Sequence, residues 1–126
     1  MKLKTIHYVV FFIVIAVGGL IAARMWGESQ PGKYDTLAQC IDEADATFFG
    51  AFWCPHCEDQ KRLFGNSQRL LPYVECSTPD GQNQTQACID AEIKSYPTWV
   101  LADGTILNGV QQVRELAEAT NCELPE

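Results

Sequence analysis

Cys54-Pro55-His56-Cys57 places two thiols three positions apart, with a proline and a histidine between them. The motif follows an aromatic, apolar run at residues 47–53 (TFFGAFW), which reads as a buried strand. Pro55 suits the first position of a helix, which the pattern carries to about Phe64 before Gly65-Asn66. A cysteine at a helix start faces unpaired N–H groups and the positive end of the helix dipole, and both favour a thiolate. The Cys54 sulfur is therefore expected to be acidic and reachable, with His56 adding positive charge or a hydrogen bond. Cys57, one turn inward, is expected to be shielded and to open any mixed disulfide formed on Cys54. The chemistry that this spacing permits is reversible thiol–disulfide exchange.

Other chemistries find less support. A C-x-x-C can be half a zinc site, but zinc takes four ligands and no second C-x-x-C exists. Of the two histidines, His7 lies in an apolar run, which leaves His56 alone and excludes a His-rich metal centre. A purely structural bridge between Cys54 and Cys57 would close a tiny loop and add little stability. No G-x-G-x-x-G or P-loop pattern occurs, and neither metal nor other cofactor is expected.

Four further cysteines are scattered singly. Cys76 and Cys88 bracket a Pro-, Asp- and Gly-rich loop, and a bridge between them would stabilise by about 3 kcal/mol on chain-entropy grounds. Cys40 and Cys122 would then staple the two ends of the domain. Four cysteines allow three pairings, and loop geometry favours this one without deciding it. A second redox pair at Cys76 and Cys88, and a buried free thiol at Cys40, are the competing readings.

The elements that must hold these thiols follow from the rest of the 126 residues. Hydrophobic residues are 47% and charged residues 20%, so an apolar core carries the fold. Residues 1–26 contain three of the nine bases and none of the sixteen acids. The remainder holds six bases against sixteen acids, a net charge of −10. That sign repels phosphate backbones and argues against nucleic-acid binding.

Residues 6–25 form an apolar run long enough to span a bilayer as a helix. Lys2 and Lys4 precede it, which favours the N-terminus inside and the domain outside. A cleaved signal peptide ending near Ala22-Ala23 is the rival reading, and both export the domain. The division is residues 1–26 as anchor, 27–33 as a Pro-Gly linker and 34–126 as the domain.

Within the domain, Thr36 to Gln39 has capping-box form at the head of a first helix. Residues 73–76 read as a second strand and 85–93 as a helix. Residues 98–102 and 105–110 flank Asp103-Gly104 as a hairpin, and Val113, Leu116 and Ala117 form the stripe of a last helix. Helix, then β-α-β-α-β-β-α, points to a mixed sheet covered by helices. Phe48, Phe49 and Phe52 are expected in the core, and Trp53 and Trp99 either in the core or on a substrate-facing surface.

Across residues 34–126 this pattern resembles the thioredoxin superfamily, on Trp53-Cys54-Pro55-His56-Cys57 after an aromatic strand and Tyr96-Pro97-Thr98 before the hairpin. The resemblance implies an α/β, thioredoxin-like fold, a mixed four-stranded sheet flanked by helices. It makes Pro97 the counterpart of the family's cis-proline, with the Tyr96 backbone pairing with an extended substrate segment. Trp53, Pro55, Tyr96, Pro97 and Thr98 would then be substrate-binding and Cys54, Cys57 and His56 catalytic.

F-x-G-A-F-W-C-P-H-C-x-x-Q-K-x-x-F-G, P-Y-V-E-C and S-Y-P-T-W look more narrowly like the thioredoxin-like domain fused to bacterial and plant homologues of vitamin K epoxide reductase. There a quinone-reducing membrane domain accepts electrons from a soluble domain that oxidises exported thiols. This sequence shows one membrane segment and no quinone-binding bundle, so the expected partner is a separate vitamin K epoxide reductase-like or other quinone-linked membrane chain. Two departures from thioredoxin stand out: Pro55-His56 replaces Gly-Pro, and Phe48 replaces the buried acid six residues before the first cysteine.

Pro-His is the dipeptide of the DsbA-type oxidants, whose potential lies about 150 mV above thioredoxin's, roughly 7 kcal/mol for two electrons. The expectation is a membrane-anchored extracytoplasmic thiol–disulfide oxidoreductase that oxidises exported cysteine-containing proteins. A disulfide reductase and a non-catalytic binding or chaperone module are the alternatives.

Overall fold

The structure, a computed structural model, describes residues 2–28 and 30–126, with side chains for residues 6–26 and 30–126. The Lys2 and Lys4 side chains, on which the expected orientation rests, and Ser29 of the linker lie outside the described residues. Contacts divide the chain into two compact units, Met1–Gln30 and Pro31–Glu126.

The first unit is helix α1, Lys2–Glu28. Within it Ile6–Trp26, with mean hydropathy 2.5 and no buried residue, is long and apolar enough to cross a membrane. At about 1.5 Å per residue its length is about 31 Å.

The second unit contains α2 (Asp35–Glu43), β1 (Thr47–Gly50), α3 (Pro55–Phe64), a 3₁₀ helix (Gly65–Leu70), β2 (Tyr73–Glu75), α4 (Gln86–Asp90), β3 (Thr98–Val100), β4 (Ile106–Asn108) and α5 (Val113–Ala119). The four strands form one sheet in the order β2-β1-β3-β4. β1 runs parallel to β2 and antiparallel to β3, and β3 pairs antiparallel with β4. This is the mixed sheet that the element order implied, in the four-stranded, thioredoxin-like α/β form that the resemblance implied.

Alternation along β1 separates two cores. Phe48 faces the larger one, stacked on Trp99 at 4.9 Å and edge-on to Tyr73 at 5.1 Å, among Leu37, Ile41, Phe64 and Leu116. Phe49 faces the smaller one, with Cys76, Cys88 and Ile93. Trp99 is thus a core residue, and the aromatic at Phe48 leaves no room for an acid there.

Several boundaries differ from the sequence expectation. Helix α2 starts at Asp35 after Tyr34, with no side-chain cap, so the Thr36 capping box does not form. The start is secured instead by tertiary bonds: Tyr34 N donates to Ser67 Oγ at 3.0 Å, and Arg69 grips both oxygens of Asp35 at 2.7 and 2.8 Å. β1 stops at Gly50 because Cys54 N turns back to Ala51 O at 3.0 Å, and Phe52 is left 51% exposed rather than in the core. α4 is shorter than expected, and residues 65–70 form a 3₁₀ turn that follows Gly65 at φ 55°.

Gly50 is required for a close approach. A Cβ there would lie 2.8 Å from Tyr73 Cε2 and 3.0 Å from Cys57 Sγ. Gly50→Ala is therefore expected to overpack this point and to cost about 1–3 kcal/mol, read from the denaturant midpoint.

Candidate functional site

The site grows from the end of β1. The chain turns at residues 51–54 and enters α3 at Pro55, whose missing N–H is no loss at a helix start. Cys54 is the residue before the helix, with extended backbone (φ −84°, ψ 114°). Its carbonyl accepts from Cys57 N at 3.1 Å and Glu58 N at 3.3 Å. The Cys54 thiol donates to Tyr96 O at 3.8 Å, and the following Tyr96–Pro97 peptide bond is cis. The structure thus brings Cys54 to the loop that holds Pro97, a meeting of residues 42 positions apart.

Both Cys54 and Cys57 are free thiols, 5% and 0% exposed. Cys54 is less open than its helix-start position suggested, because its sulfur turns toward Tyr96 rather than outward. Trp53, Pro55 and His56 are exposed around it. The side chain of His56 points to solvent, with Nδ1 3.4 Å from Asp59 Oδ2. Thr98 is 2% exposed and its hydroxyl is occupied, with Ser95 O at 2.8 Å and Asn108 Oδ1 at 3.1 Å sharing its one hydrogen. Pro97 is fully buried, and its carbonyl accepts from Gly109 N at 2.8 Å. The contacts to Asn108 and Gly109 fasten the Pro97 loop to β4 and the turn after it.

The remaining cysteines form two disulfides, Cys40–Cys122 and Cys76–Cys88, with Cα separations of 5.9 and 5.4 Å. All four sulfurs of these bridges are thereby occupied, and no group of three or more potential metal ligands occurs among the described residues.

Burial pushes the Cys57 thiol up to about 12, and its hydrogen bond with Cys54 adds to the rise, while Lys61 opposes it. Against an ordinary value of 9.0, the folded reduced protein keeps this proton at a pH where the unfolded chain has released it. Stability of the reduced form is therefore expected to fall as pH rises from about 9 toward 12, by up to about 1.4 kcal/mol per unit. Denaturant unfolding of the reduced protein across this range should show the slope, and reduced Cys57→Ala should lack that part of it.

Several residues around the thiols carried no recognised role in the sequence. Gln60, fully buried on α3, accepts from Trp99 Nε1 at 3.3 Å and Gln111 N at 2.7 Å and donates to Gln111 O at 3.0 Å. It locks the helix that carries Cys57 to the sheet and to the segment before α5. Glu75 accepts from Phe52 N at 3.2 Å, Ser77 N at 2.8 Å and the Tyr73 hydroxyl at 2.8 Å. Burial, then this bond to Glu75, raises the Tyr73 hydroxyl well above its ordinary value. The available signal was position: Glu75 lies at the carboxyl end of a parallel strand, where α/β sheets build their sites.

Fold and site together are those of a thioredoxin-like protein. The chain is 41% identical over 95 residues to the thiol-disulfide oxidoreductase LTO1 of Arabidopsis thaliana, a match covering 71% of this chain and 25% of the relative. The chain thus spans about a quarter of that protein's length. No protein-family model matches the sequence. The likeness supports a thiol–disulfide redox role.

Proposed function

We propose that this chain is a membrane-anchored, extracytoplasmic thiol–disulfide oxidoreductase that forms disulfides in exported proteins. The observation that carries the reading is Cys54 at the head of α3, 3.8 Å from the carbonyl before Pro97, with Cys57 buried one turn behind it. In the oxidised enzyme a substrate thiolate attacks Cys54 Sγ. The Cys54–Cys57 bond breaks, a mixed disulfide forms on Cys54, and Cys57 leaves as a thiolate that takes up a proton. A second substrate thiolate then attacks the substrate sulfur of the mixed disulfide and expels Cys54, whose sulfur takes up the second proton. The substrate loses two electrons and two protons, and the enzyme gains them.

An extended substrate segment lies along Tyr96 and Pro97, beside Trp53 and Pro55, with the exposed His56 at the helix start. Reoxidation passes the two electrons to a quinone-linked membrane protein of the vitamin K epoxide reductase kind. That partner is inferred from the resemblance of the W-C-P-H-C, P-Y-V-E-C and S-Y-P-T-W segments, and the relative's name supports thiol–disulfide redox chemistry alone. The apolar helix Ile6–Trp26 supports anchoring, and the two disulfides support an oxidising compartment.

The test is trapping with Cys57→Ala. Without Cys57, a mixed disulfide formed when Cys54 attacks a disulfide of an oxidised substrate or partner has no second enzyme thiol to open it, so such adducts should accumulate, and the captured proteins identify substrate and partner together. A potential between about −120 and −200 mV is expected against glutathione; a value near −270 mV, thioredoxin's range, overturns the oxidant direction.

A further inference from the structure

The loop between β2 and α4 makes an unusual set of bonds. Ser77 and Gln84 face each other as an isolated antiparallel bridge that closes the loop, and Thr78 N donates to Asn83 O at 2.9 Å within it. The Cys76–Cys88 disulfide brackets it from outside. Each member of the closing pair holds one of the two aromatic rings beside Cys54. Trp53 Nε1 donates to Ser77 Oγ at 2.8 Å, and Gln84 Nε2 donates to the Tyr96 hydroxyl at 2.9 Å.

The two rings meet edge-on, with centroids 6.0 Å apart. Both holding groups are themselves pinned. Ser77, 6% exposed, donates its hydroxyl to Thr78 O at 3.1 Å and its N–H to Glu75, and Gln84 also donates to Ile93 O at 2.9 Å. At the tip, Gly81 at φ 71° brings its backbone over the Trp53 and Phe52 rings, where a Cβ would make ordinary contacts of 3.8 and 3.9 Å.

We propose that Ser77 and Gln84 are positioning residues that preset Trp53 and Tyr96 as the two walls receiving an extended peptide with an apolar side chain next to its cysteine. The inference rests on the oxidoreductase reading above. Trp53 is 53% exposed yet fixed by a hydrogen bond at its far edge, so its free face is presented rather than left to rotate. A ring fixed before binding loses less freedom when the peptide arrives, an effect of about two- to tenfold in affinity for one side chain. A small thiol that touches only the sulfur gains nothing from the walls. The bridged loop therefore acts on recognition of protein substrates, through rings that it does not itself extend to the substrate.

The test uses the full chain in detergent with two substrates, a reduced unfolded protein and glutathione. Ser77→Ala and Gln84→Leu should each raise KM for the protein by about two- to tenfold with kcat within about twofold, and lose less with glutathione. Ser77→Thr, which keeps the hydroxyl, should restore the protein KM. Equal losses with both substrates, an unchanged protein KM, or no restoration by threonine overturns the proposal. Failure of the underlying reading is distinct: the unsubstituted chain would then not oxidise the protein substrate at all, and Cys57→Ala would trap nothing.

Discussion

Cys54→Ser is expected to reduce thiol–disulfide exchange to background, a loss of about 10³-fold or more, while the fold is retained. A serine hydroxyl is not ionised at neutral pH and cannot leave from a mixed bond as a thiolate does, so both the attack and the release fail. The local structure survives because the bonds at this position are made by the backbone: Cys54 N to Ala51 O, and Cys57 N and Glu58 N to Cys54 O. Serine is also a preferred residue immediately before a helix, since its oxygen can accept from the first-turn N–H groups. Thermal midpoint should therefore be unchanged or slightly raised while turnover disappears. Retained function with an intact fold would favour a binding or chaperone module instead.

The second large effect concerns stability. Cys40 and Cys122 are 82 positions apart, and their bridge ties the end of α2 to the segment after α5. Chain entropy gives a closed loop of that length about 4–5 kcal/mol, against about 3 kcal/mol for the 12-position separation of Cys76 and Cys88. The double substitution Cys40→Ala and Cys122→Ala is expected to cost about 3–5 kcal/mol, the lower end because Leu37, Ile41 and Leu116 still share the larger core. That is a large part of the 5–15 kcal/mol typical of a domain, so the denaturant midpoint should drop steeply. The matching pair at Cys76 and Cys88 should cost less. A larger loss there than at Cys40 and Cys122 would contradict the loop-length ordering.

Local pattern was most legible where one physical rule dominates. Asp103-Gly104 demands a turn, and the structure places Gly104 at φ 84° between β3 and β4, with Asp103 Oδ1 accepting from Thr105 N at 2.9 Å. Val113, Leu116 and Ala117 are the buried face of α5, as helical spacing requires. The reading was weaker where tertiary contacts compete with local propensity. Thr36 has the composition of a cap, but the Asp35–Arg69 pair and the Tyr34–Ser67 bond start the helix two residues earlier. Phe52 looked like a third core aromatic after Phe48 and Phe49. The turn after Gly50 breaks the strand's alternation and puts its ring outside.

Around the thiols the same division holds. Cys54 and Cys57 are visible as a pair because the helix start and the spacing are local. Glu75, Ser77 and Gln84 carry no such signature, since an acid, a serine and a glutamine acquire these roles through partners 23, 24 and 12 positions away.

By itself the sequence determined the apolar helix, the order of strands and helices, and a dithiol at a strand-to-helix junction, because periodicity, turn chemistry and helix-start electrostatics act over a few residues. Only the tertiary structure decided that Cys54 faces the carbonyl before Pro97, that Cys57 fills the space left by Gly50, and that a disulfide-bracketed loop fixes the two rings beside the thiol. Those are contacts between distant segments, and they exist only once the sheet has brought its strand ends together.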